Sequence, residues 1–169
     1  MYKIDDYVIY GLKGVCQVVD VGYLDIDCLN KEKKYYTLHP LYSDGSLIYT
    51  PVDSGKVRMR KILTYEEAQE LINRIPSIEE IDISEERVRE ATYKATMEKH
   101  DCNEWIRIIK TLYLRGQERQ QEGKKTTAVD ERYLHAAEEC LYGELAVSLK
   151  MDKDKVKAYI AECVEALQE

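Results

Sequence analysis

The feature that most constrains this chain is a change of hydrophobic period at Thr64. Before it, short runs rich in Val, Ile and Tyr alternate with Gly, Pro and Asp-Gly turns, as in Tyr7-Val8-Ile9-Tyr10, Val15 to Val21 and Tyr35-Tyr36-Thr37-Leu38. After it, apolar residues recur every three or four positions, which is the spacing of one helical face. Two periods in succession imply two architectures joined end to end, an α+β chain rather than an interleaved α/β one.

The first part reads as five short strands in about sixty residues, a small, strongly bent antiparallel sheet or partly open barrel. Gly11 and Gly14 bracket a turn, and a hairpin is expected with arms Leu41-Tyr42 and Leu47 to Thr50 around Ser43-Asp44-Gly45-Ser46. Pro51 cannot donate to a ladder and closes that strand, and Val57 to Ile62 supplies the last. Tyr49, beside Pro51, is the residue of a strand that suits a sheet edge, where another protein can add a strand.

The second part reads as a compact all-helical domain. Thr64 with Glu67 forms a capping box ahead of Ala68, Leu71, Ile72 and Ile75, and Pro76 ends that helix. Ser84 with two acids predicts a helix to about His100, and Asp101 with Glu104 caps the central one, which stops near Gly123. Its stripe is Trp105, Ile106, Ile108, Ile109, Leu112 and Tyr113, with Arg107, Lys110, Arg115 and Arg119 pointing largely away; such a basic outer face is ordinarily mere solvation. Thr127 with Asp130 opens a helix carrying Tyr133, Leu134, Ala137, Leu141, Leu145 and Leu149. Asp152 begins the last, with Val156, Ile160, Val164 and Leu167 buried. The expected domains are residues 1–63 and 64–169, with 64–83 forming a helix and connector.

Composition narrows the chemistry. A net charge of −7 argues against a protein that coats nucleic acid, which needs many phosphate contacts. Yet 10 basic and 8 acidic residues in 84–127 give that segment +2, against −4 before it and −5 after it, so any nucleic-acid contact belongs there as a local patch. The five cysteines have no CxxC or paired Cys/His spacing, so neither a disulfide framework nor a metal site is indicated, and they read as reduced, mostly buried thiols. His39, His100 and His135 fall in three elements without a catalytic order, and no glycine-rich phosphate loop precedes a helix. No enzyme, cofactor, metal or small-molecule substrate is expected. No apolar run approaches a membrane span, and the opening residues lack signal-peptide order, so a cytoplasmic protein is expected. Fourteen Tyr and no Phe mean that buried aromatic mass carries hydroxyls that need partners.

In ordered sequence, Asp6-Tyr-Val-Ile-Tyr-Gly-Leu-Lys-Gly-Val-Cys-Gln-Val, Tyr35-Tyr36-Thr37-Leu38, Ile48-Tyr49-Thr50-Pro51-Val52-Asp53, Tyr93-Lys94-Ala95, Leu112-Tyr113-Leu114-Arg115 and Gly143-Glu144-Leu145-Ala146 together resemble the CarD/CdnL group of bacterial transcription regulators. The resemblance implies a Tudor-like domain that adds its sheet edge to the first lobe of the RNA polymerase β subunit, then a helical domain that contacts promoter DNA near the upstream edge of the −10 element and stabilises the open complex. On that reading Leu47, Ile48, Tyr49 and Thr50 face the polymerase. Arg89 and Lys94 face DNA, with Arg87, Lys124 and Lys125 as supporting phosphate contacts. Two positions depart from the family. Arg89 stands four residues before Tyr93, where members often carry a Trp that wedges into the minor groove, and Tyr49 stands where they often carry an Arg. The rival reading is a purely protein-binding adaptor without DNA contact.

Overall fold

Strand-forming runs too short to be stable singly are completed by one another. The computed structural model describes residues 1–53 and 55–168; Ser54 and Glu169, which belong to the two expected domains, lie outside the described residues. Five strands, β1 (Tyr7–Tyr10), β2 (Val15–Tyr23), β3 (Lys34–Pro40), β4 (Ile48–Pro51) and β5 (Met59–Lys61), form one antiparallel sheet in the order β4-β3-β2-β1-β5. Five helices follow: α1 (Tyr65–Arg74), α2 (Arg89–Met97), α3 (Cys102–Gln121), α4 (Ala128–Leu149) and α5 (Lys153–Gln168). The chain divides into two compact units, Met1–Ile62 and Leu63–Glu169.

In the first unit Val8, Cys16, Val18, Tyr36 and Leu38 are the core, with Tyr10, Ile48, Val52 and Met59 packed against it. Gly11 turns β1 into β2 at φ +47, and a Cβ there would stand 3.0 Å from Val57 Cγ1, so no other residue fits without strain. The β2–β3 register jumps between Val18 and Asp20, a bulge that leaves Val19 unpaired and bends the sheet. The buried hydroxyls find donors: Tyr36 Oη accepts the Tyr2 N–H at 3.1 Å, and Tyr35 Oη accepts that of Asn30 at 3.1 Å.

The hairpin arms are not where the turn chemistry suggests. β3 continues through Pro40 and pairs with β4 from Leu38↔Ile48 to Tyr35↔Pro51, so residues 41–47 are all loop. The Leu41 N–H is taken by the Val15 carbonyl, which ties that residue to β2 rather than to β4. Burial of Tyr36 and Leu38 decides the register, over the Asp-Gly signal.

In the second unit the helix starts follow local chemistry. Thr64 and Glu67 form the reciprocal capping box, Asp101 accepts the Asn103 N–H, and Thr127 accepts that of Asp130. The Ser84 start is a correction: a 3₁₀ turn spans Glu86–Val88, α2 begins at Arg89 without a side-chain cap, and it ends at Met97. His100 then adopts φ +50, a left-handed residue that redirects the chain into α3. Trp105, Ile108, Leu112, Tyr93, Leu71, Ile72, Leu145 and Val156 form the buried interior. Tyr113, placed by periodicity in the α3 stripe, is 61% exposed, and Leu167 at the end of α5 is 51% exposed. Only Cys16 and Cys102 of the five free thiols are buried, and Cys28 is exposed, so the expectation of mostly buried thiols is also corrected.

Among the described residues, one carboxylate lies fully inside. Glu144 is 0% exposed; its Oε2 accepts the Leu63 N–H at 3.0 Å, and its Oε1 accepts the Cys102 thiol at 3.3 Å. Ser148, one turn later, donates to the Leu63 carbonyl at 2.7 Å. Both backbone groups of Leu63, where the helical unit begins, are thereby satisfied by side chains of α4.

Candidate protein and nucleic-acid interfaces

The β-unit offers an open strand edge. β4 pairs with β3 on one side and ends the sheet on the other. The Val52 N–H bonds to the Lys34 carbonyl at 3.0 Å, and antiparallel pairing alternates, so Thr50 and Ile48 also direct their backbone groups toward β3. Tyr49 therefore turns its N–H and carbonyl off the open edge. Pro51 occupies the next outward position, where its missing N–H costs the sheet nothing. Side chains alternate likewise: Thr50 is buried, Ile48 packs on the core, and Tyr49 on the opposite face is 38% exposed, with Leu47 exposed beside the strand.

In the helical unit the residues assigned to DNA have differing freedom. Arg89 is held tightly. Its Nε–H donates to Glu86 at 3.0 Å and its Nη1–H to Tyr93 Oη at 2.8 Å, with only 16% of the side chain exposed. Burial opposes the Arg89 charge, yet the bonds to Tyr93 and Glu86 outweigh it and raise its pKa. Glu86 also accepts two bonds from Arg115, whose Nε–H reaches Asp130 Oδ2 at 2.7 Å. The Arg115 bond foremost, and the Arg89 bond after it, hold the Glu86 carboxyl below the usual carboxylate range. Burial, partly offset by the Arg89 bond, pushes the Tyr93 phenol up.

Arg87 is exposed and, among the described residues, pairs with Glu85, while Lys124 pairs with Glu122 at 3.3 Å. Lys94 and Lys125 are exposed and make no ion pair among the described residues. One shallow hollow gathers Arg87 and Arg89 against Thr127, Val129 and Asp130 at the start of α4, two residues beyond Lys125. Lys94 lies further along α2, outside that hollow. The basic face of α3 is largely committed to structure. Lys110 donates to the Ile75 and Ile78 carbonyls, Arg107 to Glu104 and the Glu79 carbonyl, and Arg119 to the Lys125 carbonyl. The periodicity that put these cations outside gave no sign of this, because their partners are backbone atoms of remote segments.

Among the described residues, no group of three or more His, Cys, Asp or Glu side chains is placed to hold a metal ion, and no helix is long and apolar enough to cross a membrane.

The amino-terminal unit is a small antiparallel sheet with an open, partly apolar edge. Residues 2–63 match the family model described as CarD-like/TRCF RID domain. That matched domain supports an RNA polymerase-interacting, transcription-related protein, and this domain family is not known as an enzyme family. The helical unit beyond Leu63 lies outside the matched residues. A search of curated proteins found no match to the chain.

Proposed function

We propose that this protein binds the RNA polymerase β subunit by strand addition at β4 and stabilises the promoter open complex through contacts from its helical unit to DNA near the upstream edge of the −10 element. The observation that carries the reading is the open β4 edge, with Tyr49 backbone groups turned outward, inside a domain of the polymerase-interacting family. Backbone pairing supplies affinity there without requiring a particular side chain, so Tyr49 serves where relatives often carry an Arg. Leu47, Ile48 and Thr50 complete the strand, two of them by fixing its inner face.

On the DNA side, Lys94 and Lys125 contact phosphate directly, and Arg87 and Lys124 join them by exchanging weak surface ion pairs for phosphate. Arg89 acts from a pinned position, holding the Glu86–Val88 turn that carries Arg87. So small a patch suffices because tethering to the polymerase raises the local DNA concentration, often to about the millimolar range.

The adaptor reading keeps one specific support: three of the five proposed DNA contacts, Arg87, Arg89 and Lys124, already pair with carboxylates. The lifetime of an open complex formed by the cognate polymerase separates the two. The wild-type chain lengthens it, and an Arg87→Glu, Lys94→Glu variant binds polymerase equally but loses the effect. Retained polymerase binding with an unchanged lifetime for the wild type gives the adaptor reading its case.

A further inference from the structure

Between the short 3₁₀ turns at Ile75–Ser77 and Glu86–Val88, the segment joining α1 to α2 is irregular, yet side chains of α3 fasten it down. Arg107 Nε–H donates to the Glu79 carbonyl at 3.2 Å, the Lys110 ammonium to the Ile75 and Ile78 carbonyls, and Thr111 Oγ1 accepts the Ile81 N–H at 2.9 Å. These three positions, i, i+3 and i+4, make one row along the helix, so the strap lies against α3 in a preformed groove. The groove continues past the strap onto Tyr113 and Leu114, both exposed large side chains.

Its charge is one-sided. Glu79, Glu80 and Asp82 line it, are exposed on or beside the strap, and make no ion pair among the described residues. Among the described residues lining the groove the cation is Lys110, whose ammonium donates to the Ile75 and Ile78 carbonyls and is also attracted by Glu80. Glu79 and Asp82 add two more carboxylates beside the apolar and aromatic lining, so negative charge is in excess there. Like charges held together in this way favour a cationic occupant, and the Tyr113 ring presents a face for cation–π contact.

We infer that this groove docks a basic, apolar segment of a partner protein, with large aliphatic side chains seated against Tyr113 and Leu114 and Lys or Arg side chains reaching Glu79, Glu80 and Asp82. Nucleic acid and anionic lipid are disfavoured by the sign of the charge. Pre-fastening of the strap matters energetically, because a groove already ordered does not pay that ordering on binding. The inference does not rest on polymerase or promoter contact.

The test uses the full chain and a fluorescent synthetic helical peptide with leucine at i, i+3, i+4 and i+7 and lysine between, beside a counterpart with glutamate for lysine. Three variants are compared: Glu79→Lys, Glu80→Lys, Asp82→Lys in the groove; Tyr113→Ser; and, as a control of equal charge change on α5, Asp154→Lys, Glu162→Lys, Glu165→Lys. Binding of the lysine peptide alone, weakened about tenfold or more by the groove triple variant and measurably by Tyr113→Ser, but little by the control, is the result expected. No binding, or equal weakening by groove and control variants, overturns the proposal as mere attraction to an acidic protein. Concentration-dependent self-association in sedimentation, lost with the groove triple variant, overturns it in favour of a second copy as the occupant.

Discussion

At the scale of single residues, Arg89 shows how a side chain's role is set by what it touches. Its guanidinium, Glu86, Arg115, Asp130 and the Tyr93 hydroxyl form one connected set, and Glu86 bridges both arginines. Because the folded Glu86 pKa is lowered, its contribution is present above the ordinary carboxylate range and lost as pH falls through the folded value. Carboxyl-detected NMR titration should show Glu86 protonating below the usual carboxylate range, and Arg115→Ala should raise its titration toward that range, the Arg89 bond remaining; an unchanged Glu86 titration in that variant contradicts the bridge. Glu86 is largely exposed, so solvent and salt screen this effect, and the test belongs at low ionic strength. Thiol chemistry gives a second expectation. The Cys16 thiol is buried and pushed up to about 11 by that burial, while Cys28 is exposed, so a thiol reagent at mildly alkaline pH should label Cys28 first and Cys16 only on unfolding. Peptide mapping of the first labelled site checks the order.

Elements start and stop for local reasons, but their positions answer to side chains far away in sequence. The α1 capping box satisfies two backbone N–H groups at once, and Thr64→Ala should cost about 1 kcal/mol in urea unfolding. Glu144→Ala should cost more, about 2 to 3 kcal/mol, because it strands the part-buried Leu63 N–H and opens space in the interior. A cost for Glu144→Ala no larger than that for Thr64→Ala would mean that Leu63 finds water instead. In the sheet, strand addition at β4 predicts that Tyr49→Pro, which removes the N–H turned to the open edge, weakens polymerase binding while leaving the β3–β4 ladder intact. Pull-down of polymerase with the variant, alongside circular dichroism to confirm the fold, tests that expectation.

At the scale of the whole molecule, net charge −7 bounds the DNA contact proposed for the helical unit to a local patch. Each phosphate contact contributes a slope of about −0.9 in log affinity against log salt on duplex DNA, so two to four contacts predict about −2 to −4. Fluorescence anisotropy of the free protein with promoter DNA measures it, and a slope near −8 would reveal a broad electropositive surface that the present charges do not supply. On the proposed function, the same balance predicts weak DNA binding by the free protein and a requirement for the polymerase tether.

The period switch at Thr64, the alternation in the strands and the Thr64, Asp101 and Thr127 caps were legible from residue order, because helix starts, strand faces and turns are fixed by neighbours a few positions away. So was the open edge: Pro51 and Tyr49 marked β4 before any pairing was known. Tertiary structure alone decided the rest. Whether a cation is free is a question about remote partners, and periodicity placed Lys110, Arg107 and Arg115 on an outer face without seeing the carbonyls and carboxylates that folding brings to them. Tyr113 reads as core by spacing yet is 61% exposed, and Glu144, which no periodicity singles out, is buried where Leu63 and Cys102 offer it hydrogen bonds. Local order chose the elements; long-range polar pairing chose which of their charged side chains remain available to a partner.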